Sequence, residues 1–252
     1  MIRLSDMRSD ALALFAVFLF SLGCSSPEGH VNKDDALSEE SAEREMRQLE
    51  ELIQNAKTLF VRVRVDHAEE SESAWLTTVS TVSFGEGNKS CFTEEVLSVS
   101  GGWHHRLISD GSRVQCTTAP GKPMASVAPE ELRKNLTAMI SRLGVAHFNP
   151  VKQILLWGEI LWCASEHPSR ISRVRSGAVT DEGRELTYVM TVGSGPYSRE
   201  ECSLWYDPKT LRIIKRVWWN PAARFAVTET YEEFVVGGGI PDEQFRLAPN
   251  EK

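Results

Sequence analysis

Long apolar runs are scarce in this chain. The longest, residues 11–23, has 13 residues, against roughly 20 for a helix that crosses a bilayer. Basic blocks are missing too. The 28 Lys and Arg are outnumbered by 35 Asp and Glu, and the net charge of -7 argues against nucleic acid as a partner. No Cys-x-x-Cys pair occurs, which removes zinc knuckles and thioredoxin-type chemistry. No Gly-x-Ser-x-Gly elbow occurs, so the common hydrolase signature is absent. Gly87-Asn88-Lys89-Ser90 ends like a phosphate-binding loop but lacks the preceding glycine spacing. Gly237-Gly238-Gly239 runs into Ile240-Pro241 rather than a helix start, so it reads as a connection. His104-His105, Glu94-Glu95 and Glu232-Glu233 are adjacent pairs on expected strands. Neighbouring strand residues point to opposite faces, so none of these pairs readily chelates a metal or forms an acid/base dyad. The expectation is a protein without catalysis, metal or cofactor.

What the chain does have begins at its N-terminus. Arg3 and Arg8 precede the apolar run, which ends in Gly23 and Cys24. That order reads as an export signal over residues 1–23, cleaved before Cys24. Ser21-Leu22-Gly23-Cys24 resembles the lipobox of bacterial lipoproteins, with Ser21 where the usual pattern has Leu. The resemblance implies an acylated Cys24. An ordinary cleaved signal and an uncleaved anchor are the alternatives, and each puts the folded part outside the cytoplasm. Removing residues 1–23 takes Arg3, Arg8, Asp6 and Asp10 together, so the charge of -7 persists. Residues 24–36 are polar, contain Pro27 and Gly29, and read as a flexible tether. Residues 37–252 remain as one domain long enough for a sizeable core. Ser25 rather than Asp follows the cysteine, which by the resemblance to enterobacterial lipoproteins implies the periplasmic side of an outer membrane.

Five cysteines leave four if Cys24 is acylated. An even number in an oxidising compartment suits two disulfides. Cys91 with Cys116 is the preferred pair, since both would lie on strands of one meander; Cys163 with Cys202 follows by elimination. Free buried thiols are the alternative.

Met46, Leu49, Ile53 and Ala56 recur at helical steps within residues 34–57. Val61, Val63 and Val65 then alternate with Arg62 and Arg64, as on a strand with one wet face. Residues 74–84, 91–99, 102–109 and 112–117 are short, strand-like, and separated by glycine turns, of which Asp110-Gly111 is the strongest. Residues 129–143 carry a helical stripe of Leu132, Leu136, Met139, Ile140 and Leu143, with Gly144 as a stop. Residues 150–163 read as a second helix, apolar nearly all round through Ile154, Leu155, Leu156, Trp157, Ile160 and Leu161. At ~1.5 Å per residue it spans only ~20 Å, so it needs cover on several sides rather than a bilayer. Strands resume over residues 171–179, 184–192, 201–206, 211–219 and 224–236.

The C-terminal succession adds a resemblance. Leu204-Trp205-Tyr206-Asp207-Pro208-Lys209-Thr210-Leu211 leads through Ile214-Lys215-Arg216 and Thr230-Tyr231-Glu232-Glu233-Phe234 to Ile240-Pro241-Asp242-Glu243-Gln244-Phe245. With Ile108-Ser109-Asp110-Gly111-Ser112 upstream, this order resembles the LolA/LolB-type lipoprotein carriers over roughly residues 40–248. The resemblance implies an α+β fold: a curved antiparallel sheet forming an open half-barrel, covered by helices, with an apolar cavity for acyl chains. The cargo would be a lipid, an acyl chain or a lipoprotein lipid group. The partners would be that ligand, a membrane through the N-terminal anchor, and another envelope protein if the fold serves as an interaction or stress-sensing module. Candidate cavity liners are Leu156, Trp157, Ile160, Leu186, Tyr188, Met190, Trp205 and Trp218.

Overall fold

A computed structural model describes residues 38–69, 76–97, 103–118, 124–128, 130–146, 169–191 and 198–248. The first element is helix α1, Glu39–Gln54. The Ser38 hydroxyl caps it by accepting the Ser41 N–H at 3.3 Å, and Glu39 and Glu40 complement the positive end of the dipole. Ala42, Met46, Leu49 and Ile53, at steps of four, three and four, form its buried face.

Six strands follow: β1 Leu59–Glu69, β2 Leu76–Phe84, β3 Lys89–Val96, β4 Trp103–Asp110, β5 Arg113–Thr118 and β6 Met124–Val127. Helix α2, Leu132–Leu143, separates them from β7 Arg170–Thr180, β8 Gly183–Thr191, β9 Arg199–Tyr206, β10 Ile213–Asn220 and β11 Phe225–Val236. All eleven form one antiparallel sheet in the order β6-β5-β4-β3-β2-β1-β11-β10-β9-β8-β7. Two meanders are thus sewn together where the first strand pairs with the last. Leu59 faces Val236 across that seam and Glu69 faces Phe225, with a bulge at Arg62/Val63.

Strand alternation sorts the side chains. Leu59, Val61, Val63 and Val65 turn inward, while Arg62 and Arg64 turn outward to pair with Glu232 and Asp66. One hydrophobic core runs from Val114 and Cys116 on β5, under α1 and α2, to Val174 on β7. Only a sheet that curls around the helices brings such distant strands to the same two helices, so the open half-barrel implied by the sequence is the architecture present. Burial of each large aliphatic side chain in this core contributes about 1.5–3 kcal/mol. Polar clamps fix the helices. Glu45 on α1 accepts from Arg184 of β8 at 2.9 Å and from the Tyr206 hydroxyl of β9. Arg133 on α2 donates to the carbonyls of Ala56 and Lys57, and its N–H is held by Asn88 at 2.9 Å.

The outer face is covered in one place. Phe245, in a 3-10 turn over Asp242–Phe245, packs on Cys91 and Ile108. Gly85 accommodates this, since a Cβ there would lie 2.9 Å from the Phe245 ring.

The preferred Cys91–Cys116 disulfide needs correction. Cys91 pairs with Ile108 and Cys116 pairs with Leu107. Ile108 and Leu107 are consecutive on β4, so the two thiols project from opposite faces of the sheet. Both are free and buried, as is Cys202. The proposed partner Cys163, the expected helix at residues 150–163 and the N-terminal segment with Cys24 lie outside the described residues.

Candidate functional site

The concave face of the second meander is the chemically distinctive region. Leu186, Tyr188 and Met190 alternate inward on β8, opposite Leu204, Cys202 and Glu200 of β9. Trp218 faces the same way on β10 and is 2 % exposed. Four of the expected cavity liners are therefore together on the inner face, packed into the core. Trp205 is not, which corrects the expectation. Its neighbours Leu204 and Tyr206 point inward, so Trp205 points outward, half-buried, with the Lys215 ammonium 4.9 Å from its ring centre. Leu156, Trp157 and Ile160 lie outside the described residues.

A charged group that sequence reasoning missed sits among these side chains. Arg216 and Glu229 are cross-strand partners of β10 and β11, and each is 0 % exposed. The Arg216 guanidinium donates to the carbonyls of Ser141 at 3.2 Å and Arg142 at 3.3 Å. These belong to the last turn of α2, where carbonyls have no partner within the helix. Glu229 accepts the Ala146 N–H and the Tyr231 hydroxyl. Gly144 ends α2 at φ +75°, and a Cβ there would come within 2.6 Å of Trp218 and 2.7 Å of Glu229. The end of α2 is thus strapped down onto the sheet by two buried charged side chains, Arg216 on its carbonyls and Glu229 on the Ala146 N–H, at the only residue type that fits beneath it.

Burial opposes the charge on Arg216, but Tyr231, Tyr188 and Glu229 around it win, and its pKa is raised. Burial raises Tyr231 and Tyr188 as well. The Cys202 thiol is pushed up to about 12 by burial, with Glu200 adding to the effect. Arg216 is thereby held charged, and Tyr188, Tyr231 and Cys202 protonated, near neutrality. Among the described residues no cluster of His, Cys, Asp or Glu has the makings of a metal site.

Beside this network lies a cleft of about 630 Å³ between α1, the end of α2 and edge strand β7. Its apolar surface is Met46, Ile171 and Val174. Its rim is charged, with Arg47 beside Glu43 at 3.6 Å, Arg142 beside Glu50 at 3.5 Å, and Arg170. Burial raises the Glu50 pKa, against the pull of Arg142 and Arg216. A larger hollow of about 990 Å³ at the far end of α1 mixes Leu52, Leu211 and Val236 with Glu51, Lys57 and Lys209 in its lining. No helix among the described residues is long and apolar enough to cross a membrane.

The molecule at this point is defined as an open antiparallel half-barrel closed on its inner side by two helices, with an amphiphilic cleft at one edge. No family model matches the chain, and no curated protein matches it. Solved structures do. A LolA superfamily protein from Nitrosomonas europaea shares 11 % identity at a TM-score of 0.35, covering 82 % of this chain and 97 % of its own. The Mycobacterium tuberculosis lipoprotein LppX shares 12 % at 0.40, covering 81 % and 99 %. An uncharacterized conserved protein from Thermus thermophilus shares 11 % at 0.44, covering 84 % and 96 %.

Proposed function

We propose that this protein is a membrane-tethered, extracytoplasmic binding protein that holds the alkyl chain of a lipid or lipoprotein lipid group. The observation that carries the reading is the cleft between α1 and β7. It has an apolar floor of Met46, Ile171 and Val174 beneath a guanidinium-bearing rim, within a volume typical of small-ligand sites. Each buried methylene contributes about 0.8 kcal/mol, so ten contribute about 8 kcal/mol before ordering costs of about 4 kcal/mol or more. Affinity of that kind needs no catalytic group. Cys24 would supply the anchor. Residues 24–36 would supply a leash of up to about 40 Å at full extension, at ~3.3–3.6 Å per residue.

The test is ligand analysis of the full chain carrying Cys24→Ser, so that no acyl group of its own interferes. Native mass spectrometry is expected to show a co-purified amphiphile, and a fluorescent fatty acid should enter the emptied protein. Ile171→Glu, which puts a carboxylate on the partly exposed part of the cleft floor, should abolish uptake while leaving the thermal transition cooperative. A protein that emerges empty and takes up no fatty acid would refute the reading in favour of an envelope interaction module.

A further inference from the structure

The outer face of β7–β10 gathers three cations in one groove. Seven described arginines, Arg44, Arg47, Arg62, Arg64, Arg142, Arg184 and Arg246, each hold a carboxylate. Arg173, Arg175 and Arg199 form no ion pair among the described residues, and all three line one groove of about 410 Å³. The groove also takes in Val189, Val217 and Trp219, with Thr187 and Ser203 hydroxyls between and one carboxylate, Glu201. One strand row further on, Trp205 lies beneath Lys215 on the same face, next to Glu185. Strand β7 breaks register between Ser172 and Arg175, and Arg173 inside that bulge has φ +57°. A non-glycine residue in the left-handed region is strained, and bulges re-aim side chains. Protection of an edge strand accounts for arginines on β7, but not for Arg199 on the inner strand β9 or for the two tryptophans.

We infer that this face docks on the anionic phospholipid headgroups of a bilayer. In a chain of net charge -7, a patch where Arg173, Arg175, Arg199 and Lys215 outnumber Glu201 and Glu185 is where an anionic surface is not repelled. Tryptophans flanked by Arg and Lys suit the headgroup layer, where an amphipathic ring meets both apolar and wet surroundings. The inference rests on the reading of the chain as membrane-tethered, and it adds an orientation. With β7 against the membrane, the cleft lined by Ile171 and Val174 opens around the same edge strand, so a lipid tail has a short path from bilayer to floor.

The experiment is hydroxyl-radical footprinting of Trp205 and Trp219 in the full chain. It is mixed with vesicles of 3:1 phosphatidylcholine to phosphatidylglycerol, and separately with pure phosphatidylcholine. Oxidation of both tryptophans should fall several-fold with the anionic vesicles only, and protection should vanish in about 0.5 M salt as screening shortens to a few ångströms. In the Cys24→Ser chain, which carries no acyl anchor, adding Arg173→Gln, Arg175→Gln and Arg199→Gln should weaken binding to anionic vesicles roughly 100-fold, about five-fold per cation. Equal protection by both vesicle types, or protection indifferent to salt, overturns the inference without reference to any variant. So does protection by inorganic phosphate alone as complete as that by vesicles, which would make this a site for a soluble anion. Failure of the tether is read separately, as absence of flotation with pure phosphatidylcholine vesicles.

Discussion

Replacing Arg216 by methionine tests the buried ionic strap most directly. The guanidinium is fully buried, faces Glu229 across the β10–β11 ladder, and holds two carbonyls at the end of α2. Its removal strands the Glu229 carboxylate in the core and leaves those carbonyls without their donor. Breaking one partner of a buried pair costs about 3–5 kcal/mol. For a domain of this size each kcal/mol lowers Tm by about 2–4 °C, so Arg216→Met should melt roughly 6–20 °C early. Glu229→Leu alone should be similarly damaging, because the Ala146 N–H and the Tyr231 hydroxyl lose their acceptor. The double variant removes both charges together, and its loss should fall short of the sum by at least about 2 kcal/mol. The assay is a double-mutant cycle by urea titration with tryptophan fluorescence, which Trp218 beside Arg216 should report. If Arg216→Met costs under about 1 kcal/mol, or the two losses add within about 0.5 kcal/mol, the pair is not what holds α2 to the sheet.

Three further outcomes follow from the geometry. Gly144→Ala should destabilise by more than about 1 kcal/mol, because its φ of +75° and its 2.6 Å approach to Trp218 both oppose a methyl group; thermal melting measures it. Phe245→Ala should cost about 3 kcal/mol and expose Cys91, giving a faster-reacting thiol in a disulfide-exchange assay. Stability should fall as pH rises from about 9. The unfolded thiols release their protons there, whereas burial pushes folded Cys116 to about 11 and Cys202 to about 12, so the folded state holds protons the unfolded state has lost. Below pH 8 these groups should contribute no slope, and a urea midpoint that stays flat from pH 8 to 11 would contradict the burial assigned to them.

Much of the fold was legible where one period dominates. The 46/49/53 spacing marks α1 and the Val61/Val63/Val65 alternation marks β1, since each buries a single face. Gly144 marks the end of α2 for the same local reason. Strand β6, by contrast, is four exposed residues at a sheet edge with no alternation to detect. The pairing of β1 with β11 joins residues some 170 positions apart, beyond any short-range signal. Arg216 was missed because β10 slips register between Ile213 and Lys215. The slip changes which parity faces inward midway along the strand, so Ile213 and Arg216 are both buried although three residues apart. The disulfide expectation failed on parity as well: being on the same meander does not put two thiols on the same face.

The seam between β1 and β11 also sets an order of events. Residues 59–69 lie at the middle of the finished sheet, yet half of their ladder hydrogen bonds come from residues 225–236. A chain that emerges N-terminus first, as it does in synthesis, therefore carries β1 with one open edge until nearly all of it has been released. Completion of the half-barrel belongs to the moments after the last strand is released, and until then the waiting strand is the part most in need of shielding from other chains.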